Sequence, residues 1–216
     1  MDKRKILDIL YDNNLDEMRA YLDSGGNPDF LINGETPLCI AKTAEMAELL
    51  IEKGADIHFR GSKERTPLLK QSLSARPEIV GVLLRADPSI IHDVDANGEN
   101  ALHLCLKHAF ESSLECAKIL LEAEPPIDLN AKTNGGLTAL DIALKSNNTA
   151  IVDLLRRTAA SKQIAAFVNN RVNKARTLHN AWRAPNGNGN LGGNAYQALA
   201  SKYKTKSRKS RKSRKI

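Results

Sequence analysis

The chain has 216 residues, 4% of them aromatic and 26% charged, enough for one sizeable core or one elongated array and too few for several ordinary domains. Its formal charge of +7 hides a division: residues 1–153 carry 16 Lys and Arg against all 25 Asp and Glu, a net of −9, and the remainder holds the other 16 basic side chains and no acid. Three cysteines without a CxxC pair, Cys39, Cys105 and Cys116, argue against a disulfide framework or a four-ligand zinc site and read as reduced intracellular core thiols, with a reactive thiol as the alternative.

From the N-terminus, MDKRKILDIL has a basic start and only a few apolar residues before Asp8 and Asp12, which does not fit a secretory signal. No apolar run approaches the roughly 20 residues of a membrane-spanning helix, so a soluble protein is expected. The stretch Asn14-Leu15-Asp16-Glu17-Met18 through Gly25-Gly26-Asn27-Pro28-Asp29 reads as a degenerate unit, residues 1–30. One phrase then returns four times: Gly34-Glu35-Thr36-Pro37-Leu38-Cys39-Ile40-Ala41, Glu64-Arg65-Thr66-Pro67-Leu68-Leu69, Gly98-Glu99-Asn100-Ala101-Leu102-His103-Leu104 and Gly136-Leu137-Thr138-Ala139-Leu140-Asp141-Ile142-Ala143. Each copy is followed by a second helical phrase, over 44–54, 77–86, 114–123 and 149–157.

The repeated residues have physical reasons to recur. Thr or Asn offers a side-chain oxygen to the free N–H groups of a first helical turn, and Pro at the next position has a φ already suited to it. Gly34, Gly98 and Gly136 supply the positive φ of a tight turn, and Gly54 is placed to end a second helix. On the second helices, Met46, Leu49 and Leu50, or Ile79, Leu83 and Leu84, fall three and four apart, a face that only a neighbouring unit buries. The spacing is uneven: Thr36 to Thr66 is 30 residues, Thr66 to Asn100 is 34 and Asn100 to Thr138 is 38. The second copy has Glu64 where the others have glycine, with Gly61 three residues earlier, so a reshaped hairpin is expected there.

Both halves of the unit recur together and in order, and over residues 3–157 they resemble ankyrin repeats. Against a period of about 33 residues, the first copy has lost about three residues between its helices and the third has gained about as many there. The resemblance implies an all-α ankyrin-repeat solenoid with short hairpin loops: a capping repeat at 1–30, then repeats at 31–60, 61–94, 95–132 and 133–157. It also implies that hairpin tips and first helices face a concave groove where protein partners dock. Carried onto this sequence, the tips are 30–35, 58–65, 92–99 and 130–137. The side chains nominated for a partner are Phe30, Leu31, Ile32, Glu35, Phe59, Arg60, Lys63, Arg65, Asp95, Asn97, Glu99, Lys132 and Asn134. Phe30, Leu31, Ile32 and Phe59 are apolar where polar residues are expected and so are candidate anchors; a competing reading packs Phe30 and Ile32 beneath the hairpin or onto the cap. The resemblance gives His103 a structural role, bonding neighbouring hairpins.

Catalytic arrangements are not found. His108 lies five residues after His103, on another face of a helix, unlike the i, i+4 pair of a zinc protease. Asp93, Asp95 and Asp141 fall at hairpin or helix-start positions where carboxylates cap N–H groups. There is no defensible Ser-His-Asp order, no GxxxxGK loop and no GxGxxG after a strand, so neither enzyme activity nor a cofactor or metal is expected.

After the repeats, Ile164, Val168, Val172, Ala175, Leu178 and Trp182 recur every three or four positions, with Lys162, Arg171, Lys174, Arg176 and Arg183 around them. This predicts an amphipathic helix over 158–184 that either caps the last repeat or docks on a partner or anionic surface. Residues 185–216 read as a Gly/Asn linker and a disordered tail, with nine basic residues: Lys202, Lys204, Lys206, Arg208, Lys209, Arg211, Lys212, Arg214 and Lys215. That run fits nuclear import through an import receptor, salt-sensitive nucleic-acid contact with Tyr196 and Tyr203 stacking on bases, settling on an anionic membrane surface, or a solubility brush; phosphorylation of the interleaved serines would cancel much of its charge. The sequence thus predicts a monomeric, intracellular, non-enzymatic scaffold of cytoplasm or nucleus, whose array selects a protein partner while the tail directs it, compatible with a host-directed protein of a virus or intracellular bacterium. The alternative is a nucleic-acid-binding protein whose tail is the main effector.

Overall fold

A computed structural model describes residues 3–108, 111–146 and 148–183; the expected linker and basic tail, 185–216, lie outside them. Two units divide the chain, Met1–Ala160 and Ser161–Ile216, and the repeats lie in the first. Helices come in pairs: α1 (Lys3–Tyr11) with α2 (Leu15–Asp23), α3 (Pro37–Ile40) with α4 (Ala44–Glu52), α5 (Pro67–Leu73) with α6 (Pro77–Ala86), α7 (Ala101–Cys105) with α8 (Ser113–Glu122), and α9 (Ala139–Lys145) with α10 (Thr149–Arg183). Among the described residues, β structure is confined to isolated bridges, Ile32 with Glu35 and Val94 with Asn100.

First helices stack on first helices and second on second: α5 packs on α3 and α7, and α6 on α4 and α8. The apolar stripes explain why. Met46, Leu49 and Leu50 of α4 and Ile79, Leu83 and Leu84 of α6 are all buried. So are Leu38, Leu68 and Leu102, the fifth residue of the first three phrases, with no exposed surface at all. Burying one such leucine contributes about 1.5–3 kcal/mol, and no isolated pair has enough apolar surface to do it alone. The opening segment of the capping repeat expected at 1–30 is the helix α1, whose Ile6, Ile9 and Leu10 are buried, so the front unit is a complete pair.

Helix starts follow the cap residues, with one physical distinction that the repeated Thr or Asn conceals. Asn100 accepts the His103 N–H and the His103 ring accepts the Asn100 N–H; Thr138 and Asp141 do the same. Position N3 of the helix therefore decides whether the box closes. In α3 that position is Cys39, whose Sγ takes the Thr36 hydroxyl at 3.5 Å. In α5 it is Leu69, which offers nothing, and the buried Thr66 hydroxyl has no partner. The expectation that every Thr or Asn caps through its oxygen is corrected to two of four: Thr36 and Thr66 make no side-chain cap bond, and their helices begin on the proline that follows.

The uneven spacing has distinct origins. In the first repeat the missing residues come out of α3 itself, which is only four residues long, below what nucleates alone. Its last carbonyls are captured from the next repeat: Gln71 Nε2 donates to Leu38 O at 3.0 Å and to Ala41 O at 3.2 Å, and Arg76 also donates to Ala41 O. In the third repeat the extra residues are split between the link 106–112 and the segment after α8, instead of lying between the helices alone. Helix α10 runs unbroken from Thr149 to Arg183, so the expected boundary at 158 falls inside one helix. The apolar stripe nominated over 164–182 lies outside the described side chains.

Candidate partner-docking face

Each of the four hairpins closes on a backbone hydrogen bond, and the first loop is one residue shorter than the others. Ile32 N–H donates to Glu35 O at 2.9 Å, Gly61 to Arg65 O at 3.0 Å, Asp95 to Glu99 O at 3.0 Å and Thr133 to Leu137 O at 2.9 Å. The residues just before these donors, Leu31, Arg60, Val94 and Lys132, take corresponding places on the hairpins and form one row. Leu31 is 52% exposed and Val94 45%; Arg60 and Lys132 are exposed too. Val94 was not nominated from sequence. Its signal lies in aligning the copies on the residue before the turn and not on the helix start.

Beneath the row lies a ladder of charges paired within the chain. Asp95 Oδ1 accepts from the Asn97 and Glu99 amides, at 2.8 and 3.1 Å, and its Oδ2 takes Arg65 Nε at 3.0 Å. Glu99 Oε2 takes Lys107 at 2.7 Å, and Glu35 Oε1 takes Lys70 at 2.7 Å. Four nominated residues, Glu35, Arg65, Asp95 and Glu99, are thus buried, at 4–7% exposure, with their charge spent internally. Sequence position at a tip suggested outward display, but partners such as Lys70, 35 residues from Glu35, are not visible in a local pattern. Removing one member of a buried pair costs about 3–5 kcal/mol, so these side chains build the face without being presented on it.

The other nominated residues divide. Ile32 is buried and Phe30 half-buried, its ring edge-on to Tyr21 with centroids 6.0 Å apart, which is the packing reading. Phe59 is half-buried. Arg60 staples two hairpins, donating to Glu64 O at 3.0 Å and Val94 O at 3.1 Å and facing Asp93 at 3.5 Å. The tips are bonded in series: Ala96 N–H donates to Lys63 O at 3.0 Å and Asn134 N–H to Asn97 O at 2.8 Å, while Asn134 Nδ2 donates to Ala96 O. Gly98, at φ +70°, fits because a Cβ there would lie 2.6 Å from Asn134 Oδ1. The exposed side chains of Lys63, Asn97, Lys132 and Asn134 stand above this seam.

The groups considered for chemistry are structural. His103 is buried; its Nδ1 accepts the Asn100 amide at 3.2 Å, so Nε2 carries the proton and donates to Ala131 O of the next hairpin at 3.1 Å. Burial holds its pKa below the usual imidazole value. Burial likewise lifts the thiols of Cys39 and Cys105, leaving little thiolate for a reactive role. Among the described residues no three or more His, Cys, Asp or Glu side chains are grouped to hold a metal, and no helix is long and apolar enough to cross a membrane.

Two family models match: one for three consecutive ankyrin repeats over residues 72–166 and one for a single ankyrin repeat over residues 33–62. The chain belongs to the ankyrin repeat family. It is similar to B-cell lymphoma 3 protein of Homo sapiens, 30% identical over 132 residues, covering 57% of this chain and 28% of that protein. It is similar also to alpha-latrotoxin-Lg1a of Latrodectus geometricus, 31% identical over 129 residues, covering 57% and 9%, and to the phosphocholine transferase AnkX of Legionella pneumophila, 27% identical over 145 residues, covering 62% and 15%. The chain thus spans little more than a quarter of the first relative's length and less of the others. Ankyrin repeats are generally non-catalytic and typically mediate protein–protein interaction.

At its far end the ankyrin array changes character. A groove of about 450 Å³ lies among Leu144, Thr149, Val152, Asp153 and Arg156. Counted from the helix start, Arg156 takes the place of Ile51, Leu84 and Leu120 in the earlier second helices. The apolar seam that would seat another pair is interrupted there by a charge.

Proposed function

We propose that the chain is a non-enzymatic scaffold whose ankyrin array docks a protein partner along the hairpin row, and that the basic tail serves nuclear import or nucleic-acid contact, in the cytoplasm or nucleus. The observation that carries this reading is the pairing of exposed Leu31 and Val94, in one row with Arg60 and Lys132, above a ladder of charges paired inside the chain. Exposed apolar side chains held on a braced seam lose little entropy on docking. Phe59, Lys63, Asn97 and Asn134 complete the proposed contact set. Affinity capture with the full chain, beside a Leu31→Ser/Val94→Ser variant and a chain ending at Arg183, tests it. The partner should be lost with the double variant, at unchanged melting temperature, and kept without the tail; capture indifferent to the double variant refutes the docking face.

A second reading makes the tail the main effector, favoured by the nine Lys and Arg between Lys202 and Lys215 and the absence of acid beyond Asp153. Neutralised phosphates release counterions, so nucleic-acid binding through this segment should weaken steeply with salt.

A further inference from the structure

We propose that the second hairpin, 60–65, sets the specificity of the docking face, through Lys63 and Glu64. The occupant is an extended polypeptide carrying an acidic and a basic side chain two residues apart, between two apolar residues. The proposal rests on the hairpin row being the docking face.

Lys63 and Glu64 sit side by side at φ +60° and +57°, the left-handed region that a Cβ disfavours. Three sister hairpins place Gly34, Gly98 and Gly136, all at positive φ, where this one has Glu64. The strained pair is held from outside its own side chains: Gly61 N–H bonds Arg65 O, Glu64 N–H bonds Gly61 O, Lys63 O receives the Ala96 N–H, and the Arg60 guanidinium donates to Glu64 O. The side chains contribute nothing to this bracing. Both are exposed, and neither the Lys63 ammonium nor the Glu64 carboxylate has a hydrogen-bond or ion-pair partner among the described residues. Ala75 shows the contrast: it too is left-handed, at φ +48°, but it is 3% exposed and packed, so its methyl offsets the strain. Strain of this kind, over-determined by its surroundings and not offset by contacts of the strained side chain, concentrates at ligand clamps.

Position gives the occupant its pattern. The hairpin lies between those bearing Leu31 and Val94. Neighbouring helices stack about 8–10 Å apart, so each step spans roughly three residues of extended chain. A segment with apolar residues about six apart seats one on Leu31 and one on Val94, and its middle lies against Lys63 and Glu64. Successive side chains of an extended chain face opposite ways, so these opposite charges select an acid and a base two residues apart in the partner. A phosphate backbone, which presents one sign only, gains at Lys63 what it loses at Glu64.

The test pans a random linear peptide library on the full chain and measures the enriched peptides, synthesised and labelled, by fluorescence anisotropy. Enriched sequences should carry an acid and a base two residues apart between apolar residues. Glu64→Gly should raise Tm by about 2–4 °C while weakening these peptides roughly tenfold. The charge-exchanged variant, Lys63→Glu with Glu64→Lys, should prefer peptides whose acid and base are exchanged. Unchanged affinity in Glu64→Gly, no preference in the exchanged variant, or no enrichment at all overturns the proposal. If Leu31→Ser/Val94→Ser still abolishes binding where Glu64→Gly does not, only the specificity claim fails; if neither matters, the docking face fails with it.

Discussion

At the third position of each first helix one side chain decides whether the cap before it is satisfied. His103 and Asp141 close the box, Cys39 offers a weak sulfur acceptor, and Leu69 leaves a buried hydroxyl unpaired. Thr66→Val should therefore hold stability level or raise it by up to about 1 kcal/mol, whereas Thr138→Val should lower it by about 1 kcal/mol; equal losses in urea unfolding would refute the distinction. His103 adds a pH dependence whose sign follows from burial. Its folded pKa lies below the ordinary value, so the unfolded chain binds the proton more readily. Stability from this site is full above about pH 6.5 and falls as pH drops through that value towards the folded one. Replacing His103 with Gln should flatten that part of the stability–pH profile, read by thermal unfolding across the range. All four N3 residues were legible in the sequence. Their consequence was not, because a hydroxyl counts as unsatisfied only once it is buried.

Among the elements, α3 shows how an array tolerates a short repeat. Four residues make no stable helix in water, yet α3 holds its place because Gln71, 1% exposed, bonds Leu38 O and Ala41 O, and Arg76 adds a second donor to Ala41 O. Gln71→Leu keeps the bulk and removes the donors, so it should cost about 1–3 kcal/mol and speed hydrogen exchange in α3 before exchange in α6; uniform loosening of both would contradict this account. The missing residues were visible as a spacing of 30, but their repair was not: Gln71 reads as an ordinary polar residue until the stack brings it to α3. The opposite held for the second helices, whose three-and-four apolar spacing specifies the buried face within a single helix, with no need of a distant partner.

Across the molecule, charge is sorted by layer as well as by chain half. Helices α2, α4, α6 and α8 carry nine acidic and three basic residues; α1, α3, α5, α7 and α9 carry two acidic and five basic. The second helices are therefore net negative where the first helices are net positive, and phosphate polymers are repelled from the second-helix layer. Nucleic-acid binding by the full chain should accordingly be lost on removing residues 202–216, with a log–log salt slope no steeper than roughly −8 if all nine tail charges engage duplex DNA. Binding that survives the truncation would place it on the array or on the basic residues between Arg156 and Arg183.

By itself the sequence determined the family, the helix pairs, the turn glycines and the split between acidic array and basic extension, because each is written in short-range pattern: cap chemistry, helical periodicity and composition. Only the tertiary structure decided which tip residues are presented. Glu35, Arg65, Asp95 and Glu99 turned inward to partners tens of residues away or in the next hairpin, Val94 came out beside Leu31, and Glu64 took a strained place that glycine fills elsewhere. Burial and pairing arise between repeats, and a pattern read within one repeat cannot contain them.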